Sequence, residues 1–143
     1  MGLVSVIIEI LVDGDKSICE KALGVLDHIC DCREGREKAY ENALIVAVLI
    51  KKILRVSDLA SELSVSILWK LFKNSQDRSE DGGVVVEALQ VGAFQKLLVL
   101  LQVGCGGSTK EKLKELLKLL NLCRVRLDCF DSTADFKYLK RSY

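Results

Sequence analysis

Three amphipathic segments of the chain superimpose on one another, and the chain contains no proline to interrupt them. Within each segment apolar residues recur every three or four positions, the spacing of one face of an α-helix. The segments are residues 17–30, 59–73 and 110–123. Matching positions, all apolar except Ser64, lie 42 and then 49 residues apart: Ala22, Leu26 and Ile29; Ser64, Leu68 and Leu71; Leu113, Leu117 and Leu120. The spacing predicts a repeated helical unit.

A more apolar helix is predicted before each of these segments, at residues 4–15, 45–58 and 94–108. Two of those helices follow a shorter predicted helix, at residues 33–42 and 84–92. The shorter helices end at Asn42 and Gly92, residue types that tolerate a left-handed backbone in a sharp turn. The polar stretch 74–83 absorbs the longer second spacing, which predicts a surface loop there.

A period in the forties with a short helix and two long helices resembles the armadillo repeat. The fold predicted is therefore an all-α, armadillo-repeat right-handed solenoid of about two and a half repeats plus a C-terminal tail. Its expected parts are an armadillo domain over 1–124, made of a partial repeat 1–32 and repeats 33–74 and 84–124, and a tail over 125–143. The tail breaks the pattern, and we expect it to cap the last repeat; alternatively it is a mobile tail that docks elsewhere.

Composition limits the classes of function. Half of the residues are hydrophobic and the net charge is +1, although residues 1–42 carry −4 and residues 110–143 carry +4. This polarity is too weak for a nucleic-acid or membrane-binding footprint. No apolar run reaches the roughly 20 residues of a membrane span, and no signal peptide is visible. We therefore expect a cytoplasmic protein whose six cysteines are reduced.

The residues that could carry chemistry do not form a recognisable site. His28 is the only histidine, and its spacing to Cys30 and Cys32 matches no common zinc pattern. A reactive Cys–His pair on a core helix is also disfavoured, so structural cysteines are the favoured interpretation. The sequence predicts no catalytic residue, no metal site and no cofactor.

Three stretches carry a more specific resemblance: KKILRVS (51–57), LQVGAFQKLLVLLQVGC (89–105) and STKEKLKELLKLLN (108–121). They are similar to the C-terminal armadillo region of plant U-box E3 ubiquitin ligases, particularly the subgroup linked to defence and stress signalling. In such ligases the U-box recruits the ubiquitin-conjugating enzyme and the repeats select the substrate. Nothing in this chain matches a U-box. Since position 1 falls within a second helix of a repeat, we expect the C-terminal part of a longer protein.

The resemblance implies a protein–protein interaction module that binds substrates or regulators of a U-box ubiquitin ligase and performs no chemistry itself. A ubiquitin-conjugating enzyme would be contacted only through the missing U-box, so the parent protein, and not this chain alone, would be the transferase. The alternative is a free-standing armadillo scaffold, or a competitor of full-length relatives, without ligase activity.

Partner binding is expected on the concave groove lined by the third helices. In armadillo import adaptors that face carries a Trp and, four residues later, an Asn. The Trp positions are Gly24, Ser66 and Glu115 here, and the Asn positions are His28, Lys70 and Leu119. Because none of them matches, recognition of a basic nuclear-import peptide is not expected. The candidate groove residues are instead Asp27, His28, Asp31, Ser66, Lys70, Lys73, Asn74, Lys114 and Lys118.

These residues predict a groove that is acidic at one end and basic at the other, suited to a partner of complementary charge. The alternative is an ordinary solvated helix surface, where charges contribute little. Trp69 is either a packing residue between repeats, which its size favours, or an exposed anchor for a partner. The helix at Leu3–Leu11 is apolar on nearly all sides, which predicts self-association or contact with upstream sequence.

Overall fold

A computed structural model of the chain describes residues 2–75 and 83–134, and within the last helix it describes side chains as far as residue 127. The described residues form eight α-helices and no strand. The helices are α1 (Leu3–Asp13), α2 (Lys16–Ile29), α3 (Arg33–Glu41), α4 (Ile45–Lys52), α5 (Asp58–Ser75), α6 (Gly83–Gln90), α7 (Ala93–Val103) and α8 (Gly107–Ala134).

The helices stack as the predicted solenoid. The third helices are neighbours, because α2 packs against α5 and α5 packs against α8. The second helix α4 lies against α1, α5 and α6, which places it between repeats and explains why it is almost entirely apolar. One continuous hydrophobic cluster runs from α1 to α8. The all-α solenoid expected from the repeat spacing is therefore confirmed.

The nine superimposed positions behave as one set. Each of them is buried, or half-buried and packed against the core, including the polar Ser64. Equivalent positions in the three helices are therefore buried to a similar degree, so the 42- and 49-residue spacings correspond to a repeat in the packing. Because each apolar stripe meets a neighbouring repeat, burial and not helix propensity supplies most of the stability.

The two turns that precede the second helices differ in how they are made. Gly92 has φ +85°, the left-handed conformation predicted for it. Asn42 was expected to behave in the same way, and that expectation is wrong, since its φ is −87° and its backbone is extended. Its side-chain Oδ1 instead accepts a hydrogen bond from the Leu44 N–H at 2.9 Å. The asparagine makes the turn through its side chain and needs no positive φ.

Helix ends also differ from the predicted ones. The helix predicted over 45–58 ends at Lys52, and Leu54 adopts a φ of +67° in the turn that follows. This conformation is supported by a hydrogen bond of 2.8 Å from the Leu54 N–H to the Ser61 hydroxyl. The loop predicted over 74–83 is shorter, because residues 74–75 belong to α5 and residue 83 begins α6. Residues 76–82 lie outside the described part.

The third helix of the last repeat runs past its predicted end. α8 continues through residue 124 to Ala134, so the first ten residues of the predicted tail extend this helix. Residues 135–143 and the side chains beyond residue 127 lie outside the described part. The predicted cap, which depends on those aromatic side chains, and the boundary at 124 both stay predictions.

At the junction between α2 and α3 the two helices approach each other closely. Gly35 is buried in the first turn of α3, where a Cβ atom would overlap the carbonyl oxygen of Ile29. The same turn is capped by a thiol, since Cys32 Sγ accepts the Gly35 N–H at 3.4 Å. At the other end of α3 the Tyr40 hydroxyl donates to the Leu71 carbonyl at 2.5 Å. The short helix is therefore fixed to both neighbouring third helices.

The first helix is only half covered. Val4, Ile7, Ile8 and Leu11 are buried against α2 and α4, whereas Leu3, Val6, Ile10 and Val12 are exposed. Self-association through this helix stays a prediction. Among the described residues no single helix has the length and hydropathy to cross a bilayer; α6 and α7 reach them only as a pair bent by 77°.

One core position predicts a stabilising substitution. The Ser64 hydroxyl is fully buried and has no hydrogen-bond partner among the described residues, while the matching position of the first repeat holds Ala22. Removing an unsatisfied buried hydroxyl recovers its desolvation cost. We expect Ser64→Ala to raise the free energy of unfolding in urea by about 1 kcal/mol. Unfolding at a lower urea concentration than wild type would contradict this.

Candidate partner-binding face

The seam between α2 and α5 is closed by charged side chains. Lys70 Nζ lies 2.9 Å from Asp27 Oδ1 and 2.6 Å from Asp31 Oδ1, and it also donates to the Asp27 carbonyl at 2.9 Å. The Ser66 hydroxyl donates to Asp27 Oδ1 at 2.7 Å. Ser66 and Lys70 are four residues apart and so share one face of α5, which is why both reach the end of α2.

This cluster is partly withdrawn from water. The side chains of Lys70 and Asp27 are only 16% and 21% exposed. Burial alone would lower the pKa of Lys70, but hydrogen bonds to Asp31 and Asp27 outweigh it and hold that pKa above its ordinary value. The hydrogen bond from Lys70, together with its positive charge, lowers the pKa of Asp31. Both shifts favour the charged forms of Lys70 and Asp31.

The seam between α5 and α8 is built around Trp69. Its indole N–H donates to Glu115 Oε2 at 2.5 Å, and the ammonium groups of Lys73 and Lys112 lie 4.5 and 5.4 Å from the ring centroid. Lys112 also contacts the Ser66 hydroxyl at 3.5 Å. The distances of Lys73 and Lys112 from the Trp69 ring are both within the range of cation–π contacts. Trp69 is half-buried and packs against the core, so it serves in packing and also lines the surface.

The structure brings together four of the predicted groove residues: Asp27, Asp31, Ser66 and Lys70. Lys73 joins the same face through Trp69. The other predicted residues lie at its edges. His28 is 88% exposed and 3.8 Å from Asp31, Asn74 donates to the Lys70 carbonyl at 2.7 Å, Lys114 lies 4.0 Å from Glu111 of its own helix, and Lys118 is exposed on α8.

Two residues of this face were missed. Lys112 and Glu115 of α8, not Lys114 and Lys118, reach across to α5. A signal for one of them was present, because Glu115 occupies the position that carries Trp in the import adaptors. They were missed because the sequence does not give the rotation of α8 about its axis. A shift of one residue turns a side chain by about 100° around a helix axis. We name the surface formed by Asp27, Asp31, Ser66, Trp69, Lys70, Lys73, Lys112 and Glu115 the third-helix face.

The third-helix face keeps a charge gradient. At the α2 seam two carboxylates meet one ammonium, and at the α5–α8 seam two ammonium groups meet one carboxylate. Part of each charge is neutralised internally, and the predicted binding groove with an acidic and a basic end stays a prediction. Such a surface can attract a partner segment that carries both signs of charge.

Three cysteines of the first repeat have structural roles. Cys30 is fully buried, and burial raises the pKa of its thiol to about 11. Cys32 is exposed and caps α3. Cys19 is buried and its thiol donates to the Gly14 carbonyl at 3.4 Å. A thiol with a raised pKa is a poor nucleophile at neutral pH.

The chain resembles known plant proteins along its whole length. A sequence family described as the plant U-box protein ARM repeat region matches residues 1–140. U-box domain-containing proteins 21 and 20 of Arabidopsis thaliana are 46% and 45% identical over all of this chain. E3 ubiquitin-protein ligase PUB23 of the same plant is 43% identical over 82% of the chain.

The chain spans only part of these relatives: 32% of U-box domain-containing proteins 21 and 20, and 29% of PUB23. No solved structure matches the chain. The family match, the identities and the stacked third helices agree with one another. The chain belongs to the family of ARM repeat regions of plant U-box proteins, which are protein-interaction regions.

Proposed function

We propose that the chain binds substrates or regulators of a plant U-box ubiquitin ligase through its third-helix face. A relative that is 43% identical over 82% of this chain is named an E3 ubiquitin-protein ligase, and the chain matches less than a third of it. Ubiquitin transfer itself, and contact with a ubiquitin-conjugating enzyme, would belong to the U-box and not to these repeats. The repeats would contribute the choice of partner.

The observation that supports this proposal most is the half-exposed aromatic ring between two lysines. Aromatic side chains that combine an apolar body with a polar edge are frequent at interface centres. Lys73 is exposed and its ammonium lies over the Trp69 ring. A partner segment could place an apolar side chain against the ring and an acidic side chain between Lys73 and Lys112. A basic side chain of the same segment would face Asp31.

Not every residue of the third-helix face is suited to a binding test. Lys70 is held between two carboxylates and is mostly covered, so changing it would damage the seam as well as the surface. Lys73 is exposed and lies in none of the ion pairs formed by the described residues. We therefore choose charge reversal at Lys73 as the main test, with reversal of the exposed Lys21 on α2 as the matched control. Truncation of Trp69 is added although it also removes packing between α5 and α8, so its result is read only together with its thermal unfolding.

The experiment compares proteins captured from plant extract by wild type, Lys73→Glu, Trp69→Ala and Lys21→Glu, quantified by mass spectrometry. We expect partners retained by wild type and Lys21→Glu to fall about tenfold or more with the two face variants, because central aromatic and charged anchors contribute about 1.4 kcal/mol or more. Thermal unfolding monitored by circular dichroism verifies that each variant is folded. Equal capture by all four proteins would contradict the proposal.

The link to ubiquitin transfer needs a separate measurement. A partner identified in this way is added to a ubiquitination reaction with the full-length ligase, either wild type or carrying Lys73→Glu. We expect modification of the partner to fall while self-modification of the ligase is unchanged, since the U-box is untouched. Loss of both activities, or of neither, would argue against a role in substrate choice.

A further inference from the structure

A cationic cavity lies between the α1–α2 turn and the α4–α5 turn. It is open to solvent on one side, has a volume of about 350 Å³, and its lining residues include Lys16, Lys51, Lys52 and Arg55. Asp15 is the one acidic residue among its lining residues. We name it the turn cavity. None of its residues belongs to the third-helix face, so a ligand bound in the turn cavity would be independent of the proposed function.

The four cations form no ion pair with another described residue. Among residues 2–75 and 83–127, no carboxylate lies within 4.0 Å of their charged groups, whereas Arg33, Lys38 and Lys114 each have one and Lys70 has two. Asp15 is already engaged, because its Oδ1 caps α2 by accepting the Ile18 N–H at 2.9 Å. The cavity lining therefore carries an excess of positive charge that Asp15 offsets only in part.

A fifth cation strengthens the same field. Lys96 of α7 donates from Nζ to the Lys51 carbonyl at 3.1 Å. Burial, and then the positive charge of Arg55, lower the pKa of Lys96 below its ordinary value. Burial is the larger of the two causes, and the smaller contribution from Arg55 shows that Lys96 lies within the positive field of the α4–α5 turn.

Helix electrostatics explain only part of this cluster. Lys51 and Lys52 lie in the last turn of α4, where the negative end of the helix dipole favours cations. Lys16 is the first residue of α2 and faces the positive end of a dipole, where a cation is disfavoured. Arg55 lies in the turn beyond α4. The helix dipoles therefore do not account for the positive charges of Lys16 and Arg55.

The backbone around the cavity is held in place. A Cβ atom at Gly14 would come within 2.6 Å of the Ile10 carbonyl oxygen, so the α1–α2 turn closes more tightly than another residue would permit. In the second turn, the left-handed Leu54 is anchored by its hydrogen bond to Ser61. Fixed turns hold the backbone that carries Lys16 and Arg55 in place before any ligand arrives, which lowers part of the entropic cost of binding.

We propose that the turn cavity binds a compact ligand carrying at least two phosphate groups. A phosphate monoester carries a charge of about −1.5 to −2 near pH 7, so two such groups balance the four lining cations. Ligand pockets usually begin at about 300 Å³, and the cavity is large enough for a small polyphosphorylated molecule. The shared chemistry is a phosphorylated polyol, either free in solution or displayed as a lipid headgroup.

Isothermal titration of the chain with inositol 1,4,5-trisphosphate tests the proposal. The variant is Lys16→Gln with Arg55→Gln, and its control is Lys21→Gln with Lys110→Gln, which removes the same charge elsewhere. All four residues are exposed, so both doubles should unfold thermally like wild type. Because charge-assisted hydrogen bonds contribute about 1.5–3 kcal/mol each, we expect affinity to fall tenfold or more in the cavity double only. If that double is unstable, the single substitution Lys52→Gln replaces it.

Vesicles of phosphatidylcholine with and without phosphatidylinositol 4,5-bisphosphate distinguish the two sources. Binding of the free trisphosphate supports a soluble ligand, and binding to phosphoinositide vesicles alone supports a lipid headgroup. In either case the binding must be weakened in the variant that carries Lys16→Gln and Arg55→Gln. The proposal is overturned if neither probe binds at low salt. It is also overturned if both doubles weaken binding equally, because the effect would then reflect net charge alone.

Discussion

Replacing Gly35 by alanine is expected to lower the free energy of unfolding by about 3 kcal/mol or more, the upper range for overpacking a buried site. The new Cβ atom would overlap the carbonyl oxygen and carbonyl carbon of Ile29, and backbone atoms cannot rotate away as a flexible side chain can. The helices α2 and α3 would have to separate, which would expose their shared core. Urea unfolding followed by circular dichroism measures the change.

The chain offers a matched control for that substitution. Gly24 lies within α2, and a Cβ atom there would meet nothing within 4 Å beyond its own helix backbone and chain neighbours. Alanine is a better helix former than glycine by about 0.8–1.0 kcal/mol, so Gly24→Ala should stabilise the protein by up to that amount. Equal effects of the two substitutions would mean that the close approach at Gly35 is not structurally important.

Lys70→Met is expected to destabilise the protein by about 2 kcal/mol, which is less than the 3–5 kcal/mol for breaking a fully buried pair. The substitution keeps most of the apolar stem but leaves Asp27, which is 21% exposed, without its cation. Removing the ammonium group also removes three hydrogen bonds that join α5 to the end of α2. Lys114→Met, at an exposed pair within one helix, should change stability by less than about 0.5 kcal/mol.

The pH dependence of this difference follows from the two pKa shifts. The pKa of Asp31 is lowered from 3.8, so its contribution is full above pH 3.8 and is lost as pH falls through the folded-state value. The pKa of Lys70 is raised from 10.5, so its contribution is full below pH 10.5 and is lost at higher pH. The difference between wild type and Lys70→Met should be flat from about pH 5 to 9. A maximum within that range would contradict the assignment.

The repeat and its core were accessible from the sequence because apolar periodicity is a property of each helix separately. The nine superimposed positions needed only the local spacing of leucines and their recurrence at 42 and 49 residues. Gly92 was predictable for a similar reason, since few residues other than glycine adopt its positive φ easily. These features depend on residues close together in the chain.

The rest depended on contacts between repeats. The sequence placed Asp27, Ser66 and Lys70 on facing helices, but it did not reveal that they would bind one another instead of a partner. It also favoured Lys114 over Lys112, because the rotation of α8 is set by its packing against α5 and not by its own residues. The turn cavity combines residues from two repeats, and no local pattern links Lys16 to Arg55.

The polar bonds across the two seams have a consequence for how the units are ordered. Leucine and isoleucine surfaces tolerate sliding by a helical turn, because contacts between them have little direction. The bonds from Lys70 to Asp27 and from Trp69 to Glu115 join particular heights on adjacent helices. Exchanging two repeats would preserve the hydrophobic packing between helices, but the partners of these polar bonds would no longer face each other. A few hydrophilic residues thus determine the order in which the repeats stack, whereas the hydrophobic residues determine only that the repeats stack.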